Sequence, residues 1–135
     1  MKKLLIISGL LFSQLAVAEL VVIVHPSNNN QLDEAAVSKI YLGREKSFAD
    51  GQSVVPLALA DSAPASTAFN DAVLKKSSSQ LKAYWSKLVF TGKGTPPKEI
   101  GSEEEMLKLV ATNPSVIGYV DASKVDASVK VALKF

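Results

Sequence analysis

The residues best suited to chemistry lie between Val54 and Phe69, VVPLALADSAPASTAF, where an apolar strand-like run breaks into small hydroxyl residues and a proline and then turns helical. Such a junction offers backbone N–H groups at a helix start together with the hydroxyls of Ser62, Ser66 and Thr67. The chemistry this suits is anion binding, because the first N–H groups of a helix lack intrahelical partners and carry partial positive charge. Helix capping uses the same groups, and it accounts for one hydroxyl more easily than for three. Ser27 and Asn28, after the first strand, and Lys93, in a glycine loop, are the further candidate anion contacts.

Catalysis finds little support in these residue types. Ser62 or Ser66 could in principle be paired with His25, the one histidine, but neither serine has the glycine spacing of a nucleophile elbow. The acidic run Glu103–Glu105 reads as the first turn of a helix, where negative charge is favoured. There is no cysteine, so neither a disulfide nor a thiolate metal site is available, and no metal or cofactor is expected. His25 closes a strand-like run and reads as a strand-end residue.

The first eighteen residues have the form of an export signal. Lys2 and Lys3 precede the apolar run Leu4–Leu11, and Ala16-Val17-Ala18 supplies the small residues of a cleavage site. The run is short, and Ser8, Ser13 and Gln14 interrupt what a membrane span would need, about 20 apolar residues. Cleavage after Ala18 would release a periplasmic chain, 19–135, long enough for one domain. Of the 15 basic residues, two belong to the leader, so the remainder balance the 13 acidic ones, and nucleic acid is not an expected partner.

Elements that would position the candidate site follow from pattern. Leu20–Val24 reads as a buried strand and His25–Asn30 as a polar turn. Asp33 can cap a helix carrying Val37, Ile40 and Tyr41, with Gly43 as its stop. Val54–Leu59 is the second strand, with Pro56 suited to an edge or to the strand's beginning. Pro64 suits the first position of a helix running to Lys75 or Lys76. The serines 77–79 can cap the next helix, in which Leu81, Tyr84, Trp85, Leu88 and Val89 form a stripe read as core. Thr91–Pro97 reads as a flexible basic loop.

Ser102 and Glu105 have the spacing of a capping box, and Met106, Leu107 and Val110 mark that helix's buried side. Asn113-Pro114 ends it. Val116–Val120 then reads as a buried strand in which Gly118 allows another element close, and Val129–Phe135 alternates as an edge strand. The expected fold is α/β, one three-layer domain around a mixed sheet, with three helices between the second and third strands.

Three segments carry a family resemblance: KIYLGREKSFADGQSVVPL, KAYWSKLVFTGKGTPP and NPSVIGYV. Together they resemble the phosphate-type periplasmic substrate-binding proteins of ABC importers, of the type II periplasmic-binding-protein-like fold, over most of Leu20–Lys124. The resemblance implies a non-enzymatic solute-binding module for phosphate or a related oxyanion, serving uptake or sensing. It also implies that this chain is one lobe of a two-lobed design. Where the family opens its helix with a Ser-Gly-Thr signature, this chain has Ala65-Ser66-Thr67, and Asp61 stands where an arginine is expected. Ser66 and Thr67 carry over as anion-facing hydroxyls.

A receptor of micromolar affinity needs about 8 kcal/mol of net binding free energy, against roughly 1.5–3 kcal/mol for each hydrogen bond to a charged group. Tight binding would therefore require a second lobe, from a homodimer or a partner. The alternative reading is a ligand-free interaction or sensor-adaptor lobe that docks on an envelope transporter or receptor.

Overall fold

The computed structural model describes residues 19–135, so the expected leader lies outside the described residues. The sheet is built from β1 (Leu20–Val24), β2 (Val55–Leu59), β3 (Lys98–Ile100), β4 (Val116–Asp121) and β5 (Lys130–Lys134), in the order β3-β2-β4-β1-β5. β2 runs parallel to β3 and β4, whereas β1 is antiparallel to both β4 and β5. The sheet is thus mixed, as expected. Every residue of β1 is buried, which is why its sequence is an unbroken aliphatic run rather than an alternation.

Four α-helices accompany the sheet: α1 (Glu34–Tyr41), α2 (Pro64–Phe69), α3 (Ser78–Phe90) and α4 (Glu103–Thr112). Their starts follow the sequence closely. The Ala36 N–H donates to the Asp33 carboxylate at 2.7 Å, and Ser77 with Gln80 forms a reciprocal capping box before α3. At α4 the Glu105 N–H donates to the Ser102 hydroxyl, but the reciprocal carboxylate bond is absent from that cap. Glu103 instead accepts from the Asp121 N–H at 2.7 Å, tying the start of α4 to the end of β4. α1 stops at Gly43, which takes φ +73 in the left-handed region.

Two consecutive residues of β4 define the layers, because successive side chains of a strand point to opposite faces. Gly118 faces α4, where a Cβ would lie 2.6 Å from Met106 Sδ and 3.2 Å from Val110 Cγ2. Tyr119 faces the other way, onto Tyr41 of α1 and Phe69 of α2. α4 covers one face and α1 with α2 the other. This is the three-layer α/β arrangement that the interleaved pattern implies.

The structure departs from the sequence reading at three places and decides between its two alternatives at Pro56. β3 is an additional parallel edge strand, too short at three residues to show a period. Pro56 is the second residue of an interior strand, the beginning rather than an edge. α2 passes at Phe69 into a π-helical turn, Asn70–Leu74, which ends where Lys75 adopts φ 55. β5 is an edge strand as expected, but Val131, Ala132 and Leu133 are all half-buried, because a bulge between Val22 and Ile23 shifts its pairing with β1.

The largest correction concerns α3. Its stripe has core spacing, yet no residue of the helix is buried. Leu81, Tyr84, Trp85 and Leu88 are half-buried, Val89 is 52% exposed and Phe90 92% exposed. Period identifies an apolar face but not what covers it. α3 meets the body through Leu81 and Tyr84, which pack against the core, with the Tyr84 hydroxyl donating to the Leu42 carbonyl at 2.6 Å and the Trp85 ring lying over Gly43.

Candidate functional site

Because α3 stands away from the sheet, a cleft of about 720 Å³ opens between it, α2 and the carboxyl end of β2. Its floor is an aromatic cluster. Phe69 and Tyr119 stack with ring centroids 4.0 Å apart and an interplanar angle of 4°, and Tyr41 meets Phe69 edge-on at 4.6 Å. Trp85, Val89 and Phe90 of α3 form the opposite wall, and Asp61, Ser66, Asn70, Lys82 and Glu99 supply polar groups.

Both cluster phenols complete the backbone where β2 and β4 part. The two strands pair only at Val55–Val116 and Pro56–Ile117. Beyond that point the Leu59 N–H donates to the Tyr119 hydroxyl at 3.0 Å, and the Tyr41 hydroxyl donates to the Leu57 carbonyl at 2.8 Å. Burial pushes the Tyr41 phenol well above its usual range, with Tyr119 nearby adding to the shift. Burial also raises Tyr119, although bonds to Ser66 and Leu59 oppose the rise and the carboxylates of Asp61 and Glu99 reinforce it.

A stability prediction follows from these two groups. An acid whose folded pKa is raised contributes stability that is complete below its unfolded pKa, about 10 for tyrosine, and is lost as pH climbs toward the folded value. Urea midpoints of the wild type should therefore be flat from neutral pH to about 9.5 and fall above about 10. In Tyr41→Phe the alkaline fall should be shallower, and the stability at neutral pH lower by about 1 kcal/mol for the lost hydrogen bond. An equally steep alkaline fall in Tyr41→Phe would refute the assignment to this phenol.

The start of α2 differs from a capped helix. Ala63 occupies the cap position without a side-chain bond, and Pro64 follows it with no N–H. The N–H groups of Ser66 and Thr67 both turn back to the Ala63 carbonyl, at 3.0 and 3.4 Å, so they are not free as the sequence reading supposes. None of the three hydroxyls caps the helix. Ser66 is buried and lines the cleft together with Tyr119, while Ser62 and Thr67 are exposed and lie outside the cleft lining. Asp61 accepts from the Ser78 hydroxyl at 3.1 Å, joining this turn to the start of α3.

The remaining candidates are elsewhere. Lys93 lines a second cleft, about 570 Å³, together with Lys46 and Glu45. Ser27 and Asn28 follow β1, whose antiparallel register sets Val24 opposite Ile117, level with Pro56 at the beginning of β2. Ser62 follows the far end of β2, so the two groups are separated by about a strand length, roughly 15 Å. The loop containing Ser27 is knitted internally: Ser27 bonds His25 Nδ1 at 2.7 Å, and the Asn28 carboxamide oxygen accepts from the Asn30 backbone at 2.9 Å. Asn28 is buried, and its Nδ2 has no partner among the described residues.

Of the six candidates, the structure thus places only Ser66 in the main cleft. The sequence reading missed Tyr119, Asn70, Lys82 and Glu99, and it assigned Trp85 to the core. Nothing in the spacing of these residues sets them apart, since they converge from β4, the π-helical turn after α2, α3 and β3 only through the chain's path. Among the described residues no group of three His, Asp or Glu side chains could hold a metal ion, and no helix is long and apolar enough to cross a membrane.

No family model matches this sequence, and no curated protein matches it. Solved structures do. An ABC-type phosphate transport receptor from Vibrio cholerae superposes with a TM-score of 0.63 at 17% identity, covering 84% of this chain and 44% of the receptor. A substrate-binding protein assigned to a phosphate ABC transporter of Clostridium perfringens, solved with bound phosphate, gives 0.67 at 19% identity and covers 84% and 43%. PstS from Borrelia burgdorferi gives 0.63 at 13% identity, over 84% and 46%. These neighbours are binding proteins, and the chain spans less than half the length of each. The chain therefore has the α/β fold of one part of the phosphate-type substrate-binding proteins of ABC importers.

Proposed function

We propose that this chain is a periplasmic solute-binding module that takes phosphate or a related oxyanion at the β2–α2 junction and serves an ABC importer. The observation that carries this reading is the shared fold with phosphate receptors over 84% of the chain. The exposed hydroxyls of Ser62 and Thr67 at the start of α2 support it. The export signal implied by the first eighteen residues supports the location. The role is binding rather than catalysis, with no cofactor.

Affinity should be weak. Two or three charge-assisted hydrogen bonds give about 4–6 kcal/mol, which corresponds to a dissociation constant on the order of 0.1–1 mM. Titration calorimetry of the folded, secreted protein with phosphate and with sulfate should show saturating heat in that range. Removing the Asp61 charge in Asp61→Asn should tighten phosphate about fivefold, as expected for relieving roughly 1 kcal/mol of repulsion. Absence of heat at millimolar ligand would overturn the reading.

One observation favours a second reading, a ligand-free interaction or adaptor lobe. α3 buries no residue of its own, although it carries a core-like stripe. Cross-linking through a cysteine at Ser86 in the native envelope should then yield one discrete adduct whether or not phosphate is present. Loss of the adduct in phosphate would favour the receptor reading.

A further inference from the structure

The charge of the chain is divided unevenly. Between Asp71 and Glu99, residues 72–98 hold six lysines and no acid, whereas the rest of 19–135 holds seven basic and thirteen acidic residues. This segment is α3 with its two flanks. A neutral total therefore hides a basic arm on an acidic body, a distribution that orients a protein toward an anionic surface.

The lysines are largely unneutralised. Of these six, only Lys75 has an ion pair among the described residues, with Glu34 at 3.6 Å, and Lys76 lies 5.8 Å over the Tyr84 ring. Lys82, Lys87, Lys93 and Lys98 are exposed and make no ion pair among the described residues. Lys82 and Lys87 lie about 7.5 Å apart along α3, and Lys93 and Lys98 follow beyond its end. At 100° per residue Phe90 falls on one stripe with Ser79, Ala83 and Ser86, at the rim of the cleft that Lys82, Ser86 and Val89 also line, and Lys82 and Lys87 flank it on either side within roughly 80°. An almost fully exposed phenylalanine thus sits in the middle of a basic face.

We propose that this arm, α3 with Lys82, Lys87, Lys93 and Phe90, docks on the surface of an anionic lipid bilayer. Lysine ammonium groups would meet the headgroup phosphates, and Phe90 with Val89 would enter the boundary below them, as basic interfacial helices do. A soluble acidic partner would satisfy the lysines, whereas a bilayer also takes up the nearly fully exposed Phe90 ring and Val89 beside it. The proposal does not depend on phosphate being bound in the cleft.

The test is co-sedimentation of the secreted full protein with vesicles of equimolar phosphatidylglycerol and phosphatidylcholine, and with vesicles of phosphatidylcholine alone. Binding should occur only with the anionic vesicles and should weaken steeply with added salt. The double variant Lys82→Glu/Lys87→Glu should lose at least about tenfold in partitioning, and Phe90→Ser about fivefold. All three positions are exposed, and circular dichroism of each variant checks the fold. Equal binding to neutral vesicles, no binding to anionic ones, or full binding by the double variant would overturn the proposal. Self-association that the double variant abolishes, without vesicle binding, would assign the arm to a second copy instead and overturn it as well.

Discussion

Phe69→Ala should destabilise the protein by about 4 kcal/mol, the upper part of the range for removing a large aromatic from a core. Phe69 is 1% exposed and stands between two tyrosines, stacked on Tyr119 and edge-on to Tyr41, so truncation removes both ring contacts at once. The cavity cannot collapse easily. Tyr41 is held to β2 by its hydroxyl bond to the Leu57 carbonyl, and Tyr119 is held by the Leu59 N–H, so neither ring can move in without breaking a buried hydrogen bond. A domain of this size has a total stability of about 5–15 kcal/mol. The melting temperature should drop on the order of 15 °C, whereas Phe69→Leu should cost about 1.5 kcal/mol. Thermal unfolding followed by circular dichroism separates the two. A loss below about 1.5 kcal/mol in the alanine variant would mean that the aromatic cluster does not hold α2 to the sheet.

The second large effect is expected at Gly118. Gly118→Val should cost about 3 kcal/mol, with Gly118→Ala near 1.5, because the first added carbon already meets Met106 Sδ at 2.6 Å. Met106 is fully buried, and Val110 Cγ2 at 3.2 Å closes the other side, so the methionine has little room to swing away. The reverse compensation is testable. Shortening the neighbour in the double variant Gly118→Ala/Met106→Val should recover at least half of the loss, measured from urea midpoints. Full additivity of the two single effects would show that α4 is not pressed against β4 at this point.

These two positions were not equally visible in the sequence. Gly118 stands out inside an apolar strand, where a missing side chain implies a close approach, and α4 is the element that approaches. Phe69 is marked only by helical spacing after Pro64, with nothing to indicate that its partners would be Tyr41 and Tyr119, from 28 residues before and 50 after. Contacts of that separation depend on strand order, which local pattern does not encode.

The same distinction applies to the site and explains what each level determined. Local sequence determined the caps at Asp33, Ser77 and Ser102, the stop at Gly43, the buried β1 and β4, and the α/β class with its mixed sheet, because these depend on backbone groups and side chains only a few residues apart. It could not decide whether the α3 stripe was core, since an apolar face is the same pattern whether the chain covers it or leaves it open. Only the tertiary structure set β1 antiparallel to β4, which carries Ser27 and Asn28 to the end of the sheet opposite Ser62. Only the tertiary structure stood α3 away from the sheet and so made a cleft of Ser66, Tyr119 and Trp85. The physical reason is that convergence of distant residues is fixed by strand order and direction, and these emerge from packing the whole chain at once.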